Sequence, residues 1–316
     1  MKNATASDTS LSEKKGPRIS WSFKRNIPLH LMLFPGVLIA FLFSYLPLMG
    51  SVMAFQDFRP TLGFFRSEWV GLDNFRFVAN IPGSTRILWN TLYIAIGKIV
   101  FSILVALIFA LLLNEMRGRR TKKVVQTFIY MPHFLSWVIL SGIFIDILSP
   151  STGIANTALQ FFGFEPIFFL GDTFWFPITM VVTDVWKGFG FGTIIYLAAI
   201  TGINPNLYEA AAIDGAGRIK QTFHVTIPGM MPIIVLMVVL NLGNVLSAGF
   251  DQIFNMYNPA VYSTGDIIDT FVFRLGIEQR QFSASAAVGL LRSVASFILV
   301  ASGYWMAGKF IGYRVF

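Results

Sequence analysis

Residues 204–228 read Asn204-Pro205-Asn206-Leu207-Tyr208-Glu209-Ala210-Ala211-Ala212-Ile213-Asp214-Gly215-Ala216-Gly217-Arg218-Ile219-Lys220-Gln221-Thr222-Phe223-His224-Val225-Thr226-Ile227-Pro228, a polar interruption between two long apolar runs. The spacing predicts two short helices. Asn206 and Glu209 stand three residues apart as in a capping box, and Leu207, Ala210, Ala211 and Ile213 continue a helix of about two turns. Gly215 and Gly217 end it. Such a helix is suited to docking: small Ala210, Ala211 and Ala212 admit a partner groove close to the backbone, while Leu207, Tyr208 and Ile213 offer apolar anchors. Pro228 is expected near the start of the next apolar run, where a missing amide costs little.

The apolar runs on either side set the solvent. Of 316 residues, 55% are hydrophobic and 13% charged, too few charges to clothe an ordinary soluble domain. Runs at 29–52, 88–113, 124–148, 174–200, 229–249 and 285–307 are each long enough to cross roughly 30 Å of hydrocarbon. Six spans follow, giving an all-α polytopic membrane protein. The first run is too long for a signal-peptide core and is read as a retained span. Residues 1–28 form a polar, basic tail, residues 29–316 the membrane domain, and 204–228 the polar loop within it.

Lys and Arg are distributed unequally across the loops. With the N-terminus inside, fifteen fall on the cytoplasmic side, in the tail, at 117–123, at Arg218 and Lys220, and at Lys309 and Arg314, against six outside. Both termini are therefore expected in the cytoplasm. The same topology accounts for the net charge of +8 without a nucleic-acid partner. The absence of cysteine excludes disulfides and thiolate sites, and His30, His133 and His224 lie too far apart in sequence to propose a metal site. Outer segments 53–87 and 250–284 are long and carry Asp, Arg, aromatic and Pro residues, which suggests ordered surfaces that an external partner could touch.

Glu209-Ala210-Ala211, then Gly215 after three residues, then Val225-Thr226-Ile227-Pro228 after nine more, resembles the EAA loop of ABC importer permeases, with Val and Ile where that pattern has Ile and Leu. Asp214-Gly215-Ala216 is similar to the sugar-importing branch. Phe34-Pro35-Gly36, Ala54 to Phe58, Trp69 to Leu72 with Asn74-Phe75, Met131 to Phe134, Asp251 to Phe254 and Ala286 to Leu290 resemble oligosaccharide and polysaccharide permeases of the LplB type. The resemblance implies a type I, MetI-like fold in a bacterial inner membrane. It also implies a second permease in a heterodimer, two ATPase subunits that bind ATP and magnesium, and an extracytoplasmic solute-binding protein. It assigns ATPase contact to the loop bearing Leu207, Tyr208, Glu209, Ala210, Ala211, Asp214, Gly215, Ile227 and Pro228.

Ionisable residues within the spans are few, and each is costly in lipid unless it faces protein or water. Asp184 and Lys187 can meet on one helix face, and two readings stand. One is a polar translocation path in which Trp186 offers a flat face to a sugar ring; the other is an internal ion pair beside an interfacial tryptophan. Asn241 and Asn244 can likewise bond sugar hydroxyls or bond between helices. Lys98, Lys187 and Arg292 would suit an anionic sugar if they converge. Gly303 to Phe310 nearly spells a phosphate-binding loop, but Phe310 stands where Ser or Thr must ligate magnesium. No cofactor is therefore expected on this chain. No catalytic constellation can be nominated, so an intramembrane enzyme is a weaker alternative. A secondary transporter coupled through Asp184 is another, though it leaves the docking loop without a use.

Overall fold

A computed structural model describes residues 27–311, so the basic tail and Arg314 lie outside the described residues. The chain divides into two compact units, residues 1–50 and 51–316. In the first, α1 (Ile27–Ala40) continues through a wider turn and then a tighter helical run that reaches Phe55 in the second.

The second unit opens with the two-residue strands β1 (Gln56–Asp57) and β2 (Glu68–Trp69), antiparallel around α2 (Gly63–Arg66). There follow α3 (Asp73–Asn80), α4 (Ser84–Glu115), α5 (Arg119–Tyr130), α6 (Trp137–Ile147), α7 (Ile154–Phe161), α8 (Trp175–Thr201) and α9 (Pro205–Ile213). Then come α10 (Arg218–Gln221), α11 (Ile227–Leu242), α12 (Phe250–Met256), α13 (Tyr262–Gly265), α14 (Ile268–Phe273) and α15 (Phe282–Ile311). Five helical stretches among the described residues are long and apolar enough to cross a membrane, and α5 with α6 forms a bent pair that passes the same test taken together.

The centre is the packing of α4 along α8. Small residues allow it: a Cβ on Gly192 would stand 3.2 Å from that of Ala106, and Thr193 Oγ1 donates to the Ala106 carbonyl at 3.2 Å. In lipid, where tails compete equally for apolar surface, this close fit and hydrogen bonding do the work of association. Ala106, Ala110, Tyr196, Ile200 and Met230 form one buried cluster there.

Two expectations need correction. The run 124–148 is not one rod, because α5 and its terminal turn meet α6 at 102°. Pro132 lacks the amide needed to continue the helix, and Ser136 starts a new one by accepting from the Ile139 amide at 3.4 Å. The segment 250–284 is ordered: its Ile253, Met256 and Val261 are buried in one cluster and Ile268, Phe271 and Leu275 in another. The polar loop holds one separate helix and not two, since α10 runs through one wide helical turn into α11. That wide turn, with the Ile227 amide bonded to the Thr222 carbonyl five residues back, directly precedes Pro228, which stands at the second position of α11, near its start as expected. Gly303 to Phe310 is helical, without the loop that cradles phosphate.

Candidate functional site

Two features stand at opposite ends of α11. The first is α9. Its cap is Asn204, whose side-chain oxygen accepts from the Asn206 amide at 3.0 Å, so the helix begins two residues earlier than the Asn206–Glu209 spacing predicts. Pro205 at the first helical position favours that start, since its fixed φ suits a helix and its missing amide has no partner to lose. At the other end Gly215 takes φ +75°, the Gly215 amide bonds the Ala212 carbonyl at 3.1 Å, and the Ala216 amide bonds the Ala211 carbonyl at 2.9 Å. This is a Schellman ending, and it requires the left-handed residue that glycine supplies without strain.

No residue of α9 is buried. Leu207 and Ile213 are exposed, at 52% and 87%, and Glu209, Ala210 and Asp214 are exposed beside them, with Ala211 half-buried. Tyr208 departs from its expected role as an outward anchor. It is half-buried and its hydroxyl stands 3.1 Å from Thr226 Oγ1, directly before α11. Gln221 Nε2 donates to the Ala216 carbonyl at 2.9 Å, and Arg218 pairs with Glu115 at the end of α4 at 2.7 Å. Ile227 is half-buried and Pro228 exposed, so these two shape the entry to α11 and lie apart from the outward face of α9.

The second feature is a polar cavity of about 170 Å³ lined by Lys98 and Ser102 of α4, Asp184 of α8, Asn241 of α11, and Asn244, Ser247 and Gly249 of the non-helical crossover that follows. Lys98 is buried. Its ammonium donates to the Ala248 carbonyl at 2.6 Å and to Gln252 Oε1, and stands 3.6 Å from Asp184 Oδ1. Gln252 is itself fully buried and donates to the Met180 carbonyl at 2.9 Å and to Thr183 Oγ1 at 2.7 Å. Gly249 takes φ +93°, and a Cβ there would come 2.9 Å from the Lys98 nitrogen. The lysine thus fixes the crossover, and the crossover leaves room for the lysine.

The anticipated Asp184–Lys187 pair does not form; Asp184 faces Lys98. Although spaced for one helix face, Lys187 turns to the bend before α6, donating to the His133 carbonyl at 3.2 Å and lying 5.4 Å from the Trp137 ring centre. Trp186 packs edge-on to Phe144 at 5.5 Å in an apolar groove with Leu140 and Ile143, away from the polar cavity. Lys98, Lys187 and Arg292 do not converge, since Arg292 pairs with Asp269. Asn241 and Asn244 do meet Asp184 around one cavity. Ser102, Ser247, Gly249 and Gln252 were not singled out as site residues. Gln252 was legible only as part of the Asp251 to Phe254 resemblance, because its partners are 69 and 72 residues away. Among the described residues no group of three His, Asp or Glu side chains is placed to hold a metal.

Relatives carry the same architecture. The family described as binding-protein-dependent transport system inner membrane component matches residues 99–310. Protein LplB of Bacillus subtilis is 42% identical over 297 residues, 93% of each chain. The polygalacturonan/rhamnogalacturonan transport system permease protein YteP of the same organism is 42% identical over 89% of this chain and 88% of its own. A crystal structure of a bacterial ABC transporter involved in the import of the acidic polysaccharide alginate contains a chain that superposes with a TM-score of 0.84 at 34% identity, covering 91% of this chain and 97% of that one. With two thirds of its length in the family and a relative alike from end to end, this chain belongs to the inner-membrane permeases of binding-protein-dependent ABC transport systems, and its work is transport, not catalysis.

Proposed function

We propose that the chain supplies one half of the pathway by which an oligosaccharide or polysaccharide enters the cell. A second, non-identical permease completes that pathway, two ATPase subunits bind ATP and magnesium, and an extracytoplasmic solute-binding protein delivers the sugar. Both termini lie in the cytoplasm, as the basic residues at 117–123, Arg218 and Lys220 favour.

The observation that carries this reading is the tie between α9 and α11. Tyr208 grips Thr226 at the base of α11, and Asn241 lines the polar cavity near its far end, about 22 Å away at 1.5 Å per residue. A push on the exposed face of α9 is therefore delivered to a rod that borders the cavity. ATP-driven closure of the ATPase pair would draw the α9 helices together and turn the pathway from one side of the membrane to the other. Relatives named for polygalacturonan and alginate transport support a saccharide cargo.

The test is the purified importer in liposomes, with single cysteines at 207–216 for crosslinking. Nucleotide-dependent crosslinks to an ATPase subunit, together with ATP-dependent saccharide uptake, are expected. Crosslinks confined to lipid, or uptake driven by an ion gradient without ATP, would overturn the assignment.

A further inference from the structure

We infer that Asp184 makes this chain's share of the pathway selective for neutral, hydroxyl-rich sugar units over uronates, an inference that rests on the saccharide reading above. An ammonium has three donors. Those of Lys98 are directed at the Ala248 carbonyl, Gln252 Oε1 and the Asp184 carboxylate, and its side chain is only 8% exposed. Gln252 is fixed in turn by Met180 and Thr183, so it cannot swing away to release the lysine to a ligand. The Asp184 side chain is 31% exposed and lines the cavity, so the first formal charge that an incoming group meets is negative. Lys187 and Arg292 are held by His133 and Asp269 and do not line this cavity.

The remaining polar lining accepts and donates single hydrogen bonds. Asn244 is exposed, Asn241 keeps its oxygen as an acceptor while its amide donates to the Met237 carbonyl at 2.7 Å, and Ser247, whose hydroxyl donates to Asp269 Oδ2 at 3.4 Å, offers its oxygen as an acceptor. Neighbouring hydroxyls of a neutral sugar can donate to the Asp184 oxygen that Lys98 leaves open. A uronate carboxylate would instead be brought against a like charge in surroundings of low dielectric. The cargoes named for its alginate-importing structural neighbour and for its polygalacturonan-transporting relative are acidic, so the inference sets this chain's cargo apart from theirs.

The test is uptake by the complete importer, with its own binding protein, in liposomes. The panel comprises neutral gluco-, galacto-, arabino- and xylo-oligosaccharides alongside galacturonate and alginate oligomers. Wild type is expected to carry its best neutral substrate at least about tenfold faster than any uronate, and Asp184→Asn to shrink that ratio to within about twofold. Asparagine keeps an oxygen for Lys98 but removes its counter-charge, so assembly and the thermal midpoint of the complex are measured beside uptake. Since the binding protein is the same in both, the change in ratio belongs to the permease. As a second variant, the exposed Asn244→Ala should raise KM for the neutral substrate by about threefold or more with kcat little changed. Uronate uptake equal to neutral uptake in wild type, or a ratio unmoved by Asp184→Asn, would overturn the inference and leave the saccharide reading standing. Transport of nothing in the panel by an importer with active ATPase would remove both.

Discussion

The Tyr208 hydroxyl stands 3.1 Å from Thr226 Oγ1, joining the exposed helix α9 to the base of α11. This one contact ties an exposed surface helix to the membrane-embedded helices. Its removal by Tyr208→Phe should cost about 0.5–1.5 kcal/mol locally and loosen transmission without touching the docking face. The expected result is binding-protein-stimulated ATP hydrolysis near the wild-type rate with fewer sugars moved per ATP. An unchanged transport-to-hydrolysis ratio would show that the lever is held by other contacts.

Glu209 and Gly215 test the docking face itself. Glu209→Arg inverts the charge of an exposed side chain, and Gly215→Arg forces an L-residue into φ +75° at a cost of about 1–2 kcal/mol. Together they should uncouple ATPase activity from transport, lowering uptake by roughly tenfold or more while the permease remains in the membrane. Uptake at the wild-type level in reconstituted liposomes would contradict the coupling role of α9.

Lys98 is expected to be structural. Lys98→Met leaves the Ala248 carbonyl, Gln252 Oε1 and the Asp184 carboxylate without their cation. Breaking a buried pair from one side typically costs about 3–5 kcal/mol, and the partial exposure of Asp184 puts this case near the lower end. The thermal midpoint of the complex in detergent should fall, and Asp184→Asn added to Lys98→Met should restore part of it. Additive losses in that double-mutant cycle would mean that the two groups act independently.

Gly190 sets how closely α5 approaches α8. A Cβ at this position would fall 1.8 Å from the Ile129 carbonyl oxygen, and backbone cannot step aside as a flexible side chain can. Gly190→Ala should therefore push α5 off α8, cost about 1–3 kcal/mol and lower the thermal midpoint. Gly188→Ala on the same helix, with open space around it, serves as the control and should be nearly silent.

What the sequence determined by itself was local or compositional. Apolar run length and basic-residue asymmetry marked the spans and favoured an orientation, because a bilayer demands about 20 apolar residues per crossing and self-satisfied backbone hydrogen bonding. The exposed helix α9 was legible because its ending at Gly215 and its small Ala210 and Ala211 lie within a few residues of one another. Its cap was misplaced by two residues because Asn204-Pro205 competes with Asn206 as a start, and the bend near Pro132 could not be measured because mostly apolar sequence continues on both sides of it. The polar cavity belonged to tertiary structure alone. Lys98 meets Gln252 from 154 residues away and Asp184 from a different helix, while Lys187, spaced for one face with Asp184, turns to His133. A buried ammonium takes whichever acceptors the packing brings within reach, and only the folding of 243–256 back against α4 and α8 decides which those are.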